Sequence, residues 1–153
     1  IIAKMNSLIE PSVIEALYQA SAAGVQIDLI VRGMCTLRPG VKGLSDNIRV
    51  RSIIGRQLEH SRVYCFHNNG ADDTFISSAD WMGRNFFRRI EVATPIETEA
   101  LKERVISEGL DMALQDNTHA WLMQPDGTYE RCRPSENEKP IGLQDGLWKM
   151  YGR

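Results

Sequence analysis

The chain alternates short apolar runs with polar, glycine-bearing gaps, and the period of each run predicts an element. Ile1 to Met5 reads as a short strand. Pro11 suits the first turn of a helix in which Val13, Ile14, Leu17 and Tyr18 share a face, and Gly24 ends it. Val25 to Val31 is almost continuously apolar, as expected of a strand covered on both faces. Strand, helix, strand with a short return predicts a right-handed parallel unit. Ligands collect at the carboxyl ends of such strands, where Lys4 and Arg32 stand.

Further along, Ile48 to Ile53 alternates apolar residues with arginine and predicts a half-exposed strand, followed at Ile54 to Glu59 by a short helix or turn. Arg62–Phe66 and Thr74–Ser78 flank an Asn-Gly turn and predict a hairpin. Asp80 and Trp81 suit either a turn closed by an aromatic lid or a buried structural tryptophan. Arg88 to Ala93 reads as a strand stopped by Pro95, and Thr98 to Gln115 as an amphipathic helix packed on the sheet. Thr118–Met123 and Tyr129–Arg133, joined by Pro125-Asp126-Gly127, predict a second hairpin. Ser135 to Pro140 is a polar surface loop, and Gln144 to Tyr151 a last helix whose Leu147, Trp148 and Met150 serve packing. The pattern is that of a single α/β domain.

Composition narrows the function classes. The 153 residues, 42% hydrophobic and 25% charged, suit one ordinary domain with a normal core. A net charge of −2 gives no global attraction to nucleic acid or to an acidic membrane. Locally the balance differs: Arg32, Arg38, Lys42, Arg49, Arg51, Arg56 and Arg62 face only Asp46 and Glu59 in their stretch, which suits either a polyanionic ligand or a solvated charged face. Cys35, Cys65 and Cys132 form no CxxC pair, which argues against a disulfide framework and a zinc site and fits a reducing cytoplasm. No apolar run approaches the roughly 18 residues of a membrane span. The chain opens Ile-Ile-Ala-Lys inside a strand, so a fragment of a longer polypeptide is expected.

The candidate chemistry centres on His60-Ser61-Arg62, at the lip of a strand. Residues two apart on a strand share a face, and an imidazole beside a guanidinium makes a compact site for anionic oxygens. A surface histidine next to a snorkelling arginine would use the same residues. The hairpin would bring Ser77, Ser78 and Asn85 towards His60, and the Gly/Pro-rich loop after Arg32 lets backbone amides approach an anion. That loop lacks the GxxxxGK[ST] of a P-loop. His67 and His119 have no supporting neighbours and read as surface residues, and no carboxylate cluster suits a metal.

His60, Arg62 and the later Ser77-Ser78…Asn85 resemble half the active site of the phospholipase D superfamily, whose pattern is H-x-K followed by G/S-S-x-N. Arg62 stands where a lysine is usual and His67 where an acid is usual, a departure from a plain phosphodiesterase. Four ordered blocks, IIAKMNSL, LIVRGMCTLRPG, LEHSRVYCF and ISSADWMGRNFFRRIEVATPI, resemble something narrower: the carboxy-terminal domain of bacterial polyphosphate kinase, from Ile1 to about Arg133. The resemblance implies a phospholipase-D-like mixed β-sheet flanked by helices, spanning 1–153, within an enzyme that moves the terminal phosphoryl group of ATP to and from inorganic polyphosphate. It implies His60 as the catalytic second histidine and Arg32 as the arginine that contacts the nucleotide phosphates; by position, Arg62 and Lys4 join Arg32 and His60 as candidate ATP or phosphate binders, with Ser77, Ser78 and Asn85 in support. The phosphorylated histidine would lie in a preceding domain, and Mg2+ would be ligated outside this chain. ATP, ADP and polyphosphate as substrates, the rest of the polypeptide as partner, a homo-oligomer, no nucleic acid, and a cytoplasmic location, free or peripheral at the inner membrane, complete the expectation. The other readings are a phospholipase-D-like phosphodiesterase half-domain that dimerises, and a polyphosphate- or nucleotide-binding module without turnover.

Overall fold

A computed structural model describes residues 1–152. Its centre is a sheet of eight strands in the order β6-β5-β4-β1-β2-β3-β7-β8. β1 (Ile2–Met5), β2 (Ile27–Val31) and β3 (Ile48–Ile53) run parallel, and β4 (Val63–Phe66), β5 (Asp73–Ser77), β6 (Ala93–Pro95), β7 (Ala120–Met123) and β8 (Tyr129–Arg131) join antiparallel. The result is the expected α/β domain with a mixed sheet flanked by helices.

Helix α1 (Pro11–Ala22) begins with proline, whose fixed φ suits the first turn, and stops at Gly24, which takes φ +93°. It covers one sheet face, where Leu17 meets Ala3, Met5, Leu29, Val31 and Val50. On the other face Ile30, Ile53, Val63 and Cys65 pack against Leu110, Ala113 and Leu143. Those last three come from a helix of three parts, α3 (Glu99–Ile106), a π turn (Ser107–Asp111) and α4 (Met112–Gln115), and from α5 (Leu143–Tyr151). The extra residue in the π turn rotates the helix face, so Leu110 and Ala113 are buried while Leu101, expected on the packed face, is half exposed.

Three expectations are corrected. Arg88–Ala93 is not a strand: α2 (Gly83–Phe87) and a loop occupy the stretch, and the strand is displaced to Ala93–Pro95. Proline fits there because β6 lies at the sheet edge, where its missing N–H breaks no ladder. Ile54–Glu59 forms bends and no helix. Trp148 and Met150 are exposed, at 68% and 57%, rather than packed; only Leu143 and Leu147 of α5 reach the core. Trp81 resolves as the buried alternative, its ring stacked on Tyr64 at 5.0 Å. The first hairpin closes through a 3-10 turn (Asn68–Gly70) in which all three residues take positive φ, a conformation that asparagine and glycine tolerate.

Sheet direction decides where functional groups gather. Val63, opening β4, pairs with Lys4 near the end of β1 and with Ile76 near the end of β5; Ala120, opening β7, pairs with Ile53 at the end of β3. The exits of β1, β2, β3 and β5 and the entry to β4 therefore lie along one edge of the sheet. That edge carries Asn6, Arg32, His60, Arg62 and Asp80.

Leu29 is fully buried at the centre of β2. Leu29→Ala should lower the stability of the chain by about 2–5 kcal/mol, read in urea unfolding as a reduced midpoint with an unchanged slope.

Candidate active site

Three segments are pinned together at the shared edge. Asn6 to Ile9 continues β1 between the β2 exit and Trp81: Leu8 N–H donates to Met34 O (2.8 Å), Ile9 N–H to Trp81 O (2.9 Å) and Gly33 N–H to Asn6 O (2.6 Å). Glycine is required at 33, since a Cβ there would lie 2.8 Å from Asn6 O and 3.0 Å from Ser7 Oγ.

On this frame the side chains form a continuous chain. Arg32 donates from Nε (2.9 Å) and Nη2 to Asn6 Oδ1. The backbone N–H of Asn6 donates to Asp80 Oδ1 at 2.7 Å. Asp80, 1% exposed, accepts a fork from Arg62, Nε to Oδ1 at 3.0 Å and Nη2 to Oδ2 at 3.1 Å. Arg62 then lies along His60, with Nη1 2.9 Å from its carbonyl oxygen and 3.2 Å from Nδ1, and Nη2 3.5 Å from Nε2. Arg32, Arg62 and His60 are thus brought together, linked through a carboxylate and an asparagine that sequence reasoning missed.

Each predicted residue has a definite place. His60 is exposed, so its imidazole is open to a substrate. Nη1 of Arg32 has no hydrogen-bond partner among the described residues, which leaves one guanidinium edge for an anion. Arg62 is mostly buried and its fork is taken by Asp80, so it supports His60 more than it offers a clamp. Lys4 is not placed with them. The pleat that turns Ala3 and Met5 to the α1 side turns Lys4 to the other, where its ammonium is buried against Glu59 at 2.7 Å. Gln144 completes that pair by donating to Glu59 Oε1 at 2.7 Å. Both groups lie in a groove of about 700 Å³ walled by Val63, Leu101, Leu147 and Trp148.

Ser77, Ser78 and Asn85 have no hydrogen bond to His60. Ser77 Oγ accepts from Ala79 N–H (3.0 Å) and donates to Val92 O (3.1 Å). Ser78 and Asn85 both donate to Glu91, whose carboxyl those two bonds hold below its ordinary range. These three residues therefore shape the loop that carries Asp80. His67 is exposed as expected, beside Asp72 at 3.0 Å. His119 differs: it is half-buried, and Asp116, itself fully buried, accepts its backbone N–H at 2.7 Å.

Among the described residues no group of three or more His, Cys, Asp or Glu side chains is placed to hold a metal ion, and Asp80 is already matched by Arg62. The residues present do not fit magnesium. No helix among the described residues is long and apolar enough to cross a membrane.

The family model described as polyphosphate kinase C-terminal domain 2 matches residues 1–144. The chain belongs to that family. Its likeness to polyphosphate kinases runs past Arg133, the limit of the resemblance expected from the sequence. The polyphosphate kinase of Neisseria meningitidis serogroup C is 80% identical over 152 residues, 99% of this chain and 22% of that protein. That of Neisseria gonorrhoeae is 81% identical over 150 residues, 98% of this chain and 22% of that protein. The crystal structure of polyphosphate kinase from Porphyromonas gingivalis superposes with a TM-score of 0.92 at 43% identity, covering 97% of this chain and 22% of that one. The chain thus spans about a fifth of the length of these polyphosphate kinases.

Both buried ion pairs have measurable consequences. Removing one partner of the buried Lys4–Glu59 pair strands the other: Glu59→Ala should cost about 3–5 kcal/mol in urea unfolding, and Lys4→Met combined with Glu59→Leu should recover most of it. Burial alone would push the Asp80 carboxyl up, but the hydrogen bonds from Arg62 and the Asn6 amide, with the Arg62 charge, hold it below its ordinary value of 3.8. A lowered folded value makes this contribution complete above about pH 4 and lost as pH falls through that value. Unfolding midpoints measured from neutral to acid pH should therefore fall less steeply in Asp80→Asn than in the parent.

Proposed function

We propose that this chain is the carboxy-terminal part of an ATP:polyphosphate phosphotransferase and supplies half of its reaction centre. The observation that carries the reading is the hydrogen-bonded line from Arg32 through Asn6, Asp80 and Arg62 to His60, found in a chain of the polyphosphate kinase C-terminal domain 2 family. Phosphoryl transfer passes through a charge-rich transition state in which the protein contributes mainly position and neutralisation. Arg32, with one edge free, is suited to hold phosphate oxygens of a nucleotide, since guanidinium stays cationic and binds them in pairs.

His60, solvent-facing and steadied by Arg62, acts beside the transferred group as acid or base, or as a donor to its oxygens. The histidine that carries the phosphoryl group is supplied by another part of the longer polypeptide, as is the magnesium that accompanies the nucleotide. Phosphoryl passes reversibly between ATP and polyphosphate, and ADP is the other nucleotide of the pair. Three free thiols, Cys35, Cys65 and Cys132, suit a reducing cytoplasm.

The test uses the full-length polypeptide, following labelled phosphate from ATP into polymer. His60→Ala should reduce synthesis by about 10²–10⁴-fold. Arg32→Ala removes a charge-assisted contact of about 1.5–3 kcal/mol, so catalytic efficiency toward ATP should fall by roughly 10–150-fold. Undiminished synthesis in both variants would remove the assignment.

A further inference from the structure

Asp80 is the least exposed charged group along the shared strand edge, at 1%, and its two oxygens reach different parts of the chain. Oδ1 takes the Asn6 amide at 2.7 Å, and both oxygens take the Arg62 fork at 3.0 and 3.1 Å. The first contact fixes the segment whose side chain holds Arg32; the second fixes the guanidinium lying along the His60 ring. Its own backbone is fixed as well, because the next residue, Trp81, stacks on Tyr64 and Tyr64 Oη donates to Ala79 O at 2.5 Å.

Stability alone does not account for such a pair. Desolvating a carboxylate and a guanidinium costs several kcal/mol per ion, and well-packed apolar residues in their place are often as stable or more so. A buried pair does set geometry. A fork of two parallel hydrogen bonds fixes both the position and the plane of the guanidinium, and here that plane sets where an exposed imidazole rests. Without the fork, Arg62 keeps hydrogen bonds only to His60, one to its carbonyl oxygen and two to the ring, and the carboxylate no longer fixes the plane of the guanidinium.

We propose that Asp80 is a positioning residue for phosphoryl transfer. It holds Arg62 so that the His60 imidazole is fixed, and through the Asn6 amide it sets that imidazole in register with Arg32. This inference rests on the reading of His60 as a group that acts on the transferred phosphoryl. Asp80 touches no substrate; it works through Arg62.

A double-mutant cycle in the full-length polypeptide separates this role from a merely structural one. Asp80→Asn keeps an oxygen for the Asn6 amide and turns an NH2 towards Arg62, breaking the fork. Misplacement of a reacting group by about 1 Å can cost about 10²-fold. Asp80→Asn should therefore lower kcat for polymer synthesis by roughly 10–100-fold when His60 is present, with little change in KM for ATP. In a His60→Ala background the same substitution should change the residual rate by less than about 3-fold, because the group it positions is already gone. Equal losses in both backgrounds, or full activity of Asp80→Asn, would overturn the proposal. If Asp80→Asn does not fold, Arg62→Gln cuts the same link from the other side and should show the same dependence on His60; equal losses there would also overturn it. Undiminished synthesis in His60→Ala alone would overturn the assignment of His60, a distinguishable failure.

Discussion

A carboxylate with almost no access to water must be matched by positive charge and hydrogen bonds, and at Asp80 this requirement ties four segments of the chain together. The β1 exit brings an amide, the β4 entry a guanidinium, and the loop after β5 the carboxylate itself. Arg32 joins from the β2 exit through the Asn6 side chain. None of these groups is near another in sequence; Asn6 and Asp80 are 74 residues apart. The sheet makes their meeting possible, because an antiparallel strand placed beside β1 begins where β1 ends.

The alternation of the strands separates the charges of the shared edge from those packed beneath α3 and α5. Lys4 and Asn6 are two positions apart, yet the first is directed to the α3 and α5 side of the sheet and the second lies beyond the last paired residue of β1. Lys4 is met there by Glu59, and Glu59 by Gln144, so two consecutive residues of one loop serve different purposes: Glu59 anchors the loop to the sheet, and His60 stands free of it. A lysine at the end of a strand need not belong to the site at that end.

Most of the architecture was legible in the sequence because its signals are local. Period-two and continuous apolar runs marked β1 to β5 and both hairpins, and Pro11 with Gly24 bounded α1. The displaced β6 was not legible, because Arg88 to Ala93 carries strand-like residues while the edge, with its tolerance for Pro95, exists only once the other strands are in place. The π turn hides likewise in a helical pattern that reads as regular until Leu101 and Leu110 fall on different faces. Within the site, His60, Arg62 and Arg32 stood out through residue type and spacing. Asp80 did not, since an isolated aspartate before a tryptophan suits any turn, and Asn6 carries no signal apart from its place after a strand. Both became visible only through partners distant in sequence.

The two margins of the sheet carry a last consequence. At one, β6 ends in Pro95, which offers no amide to an incoming strand; at the other, β8 is only three residues long and bears the exposed Glu130 and Arg131. Short, charged or proline-bearing borders resist the lateral stacking by which sheets grow into aggregates. Neither margin therefore offers a ready template on which a strand from another molecule could extend the ladder.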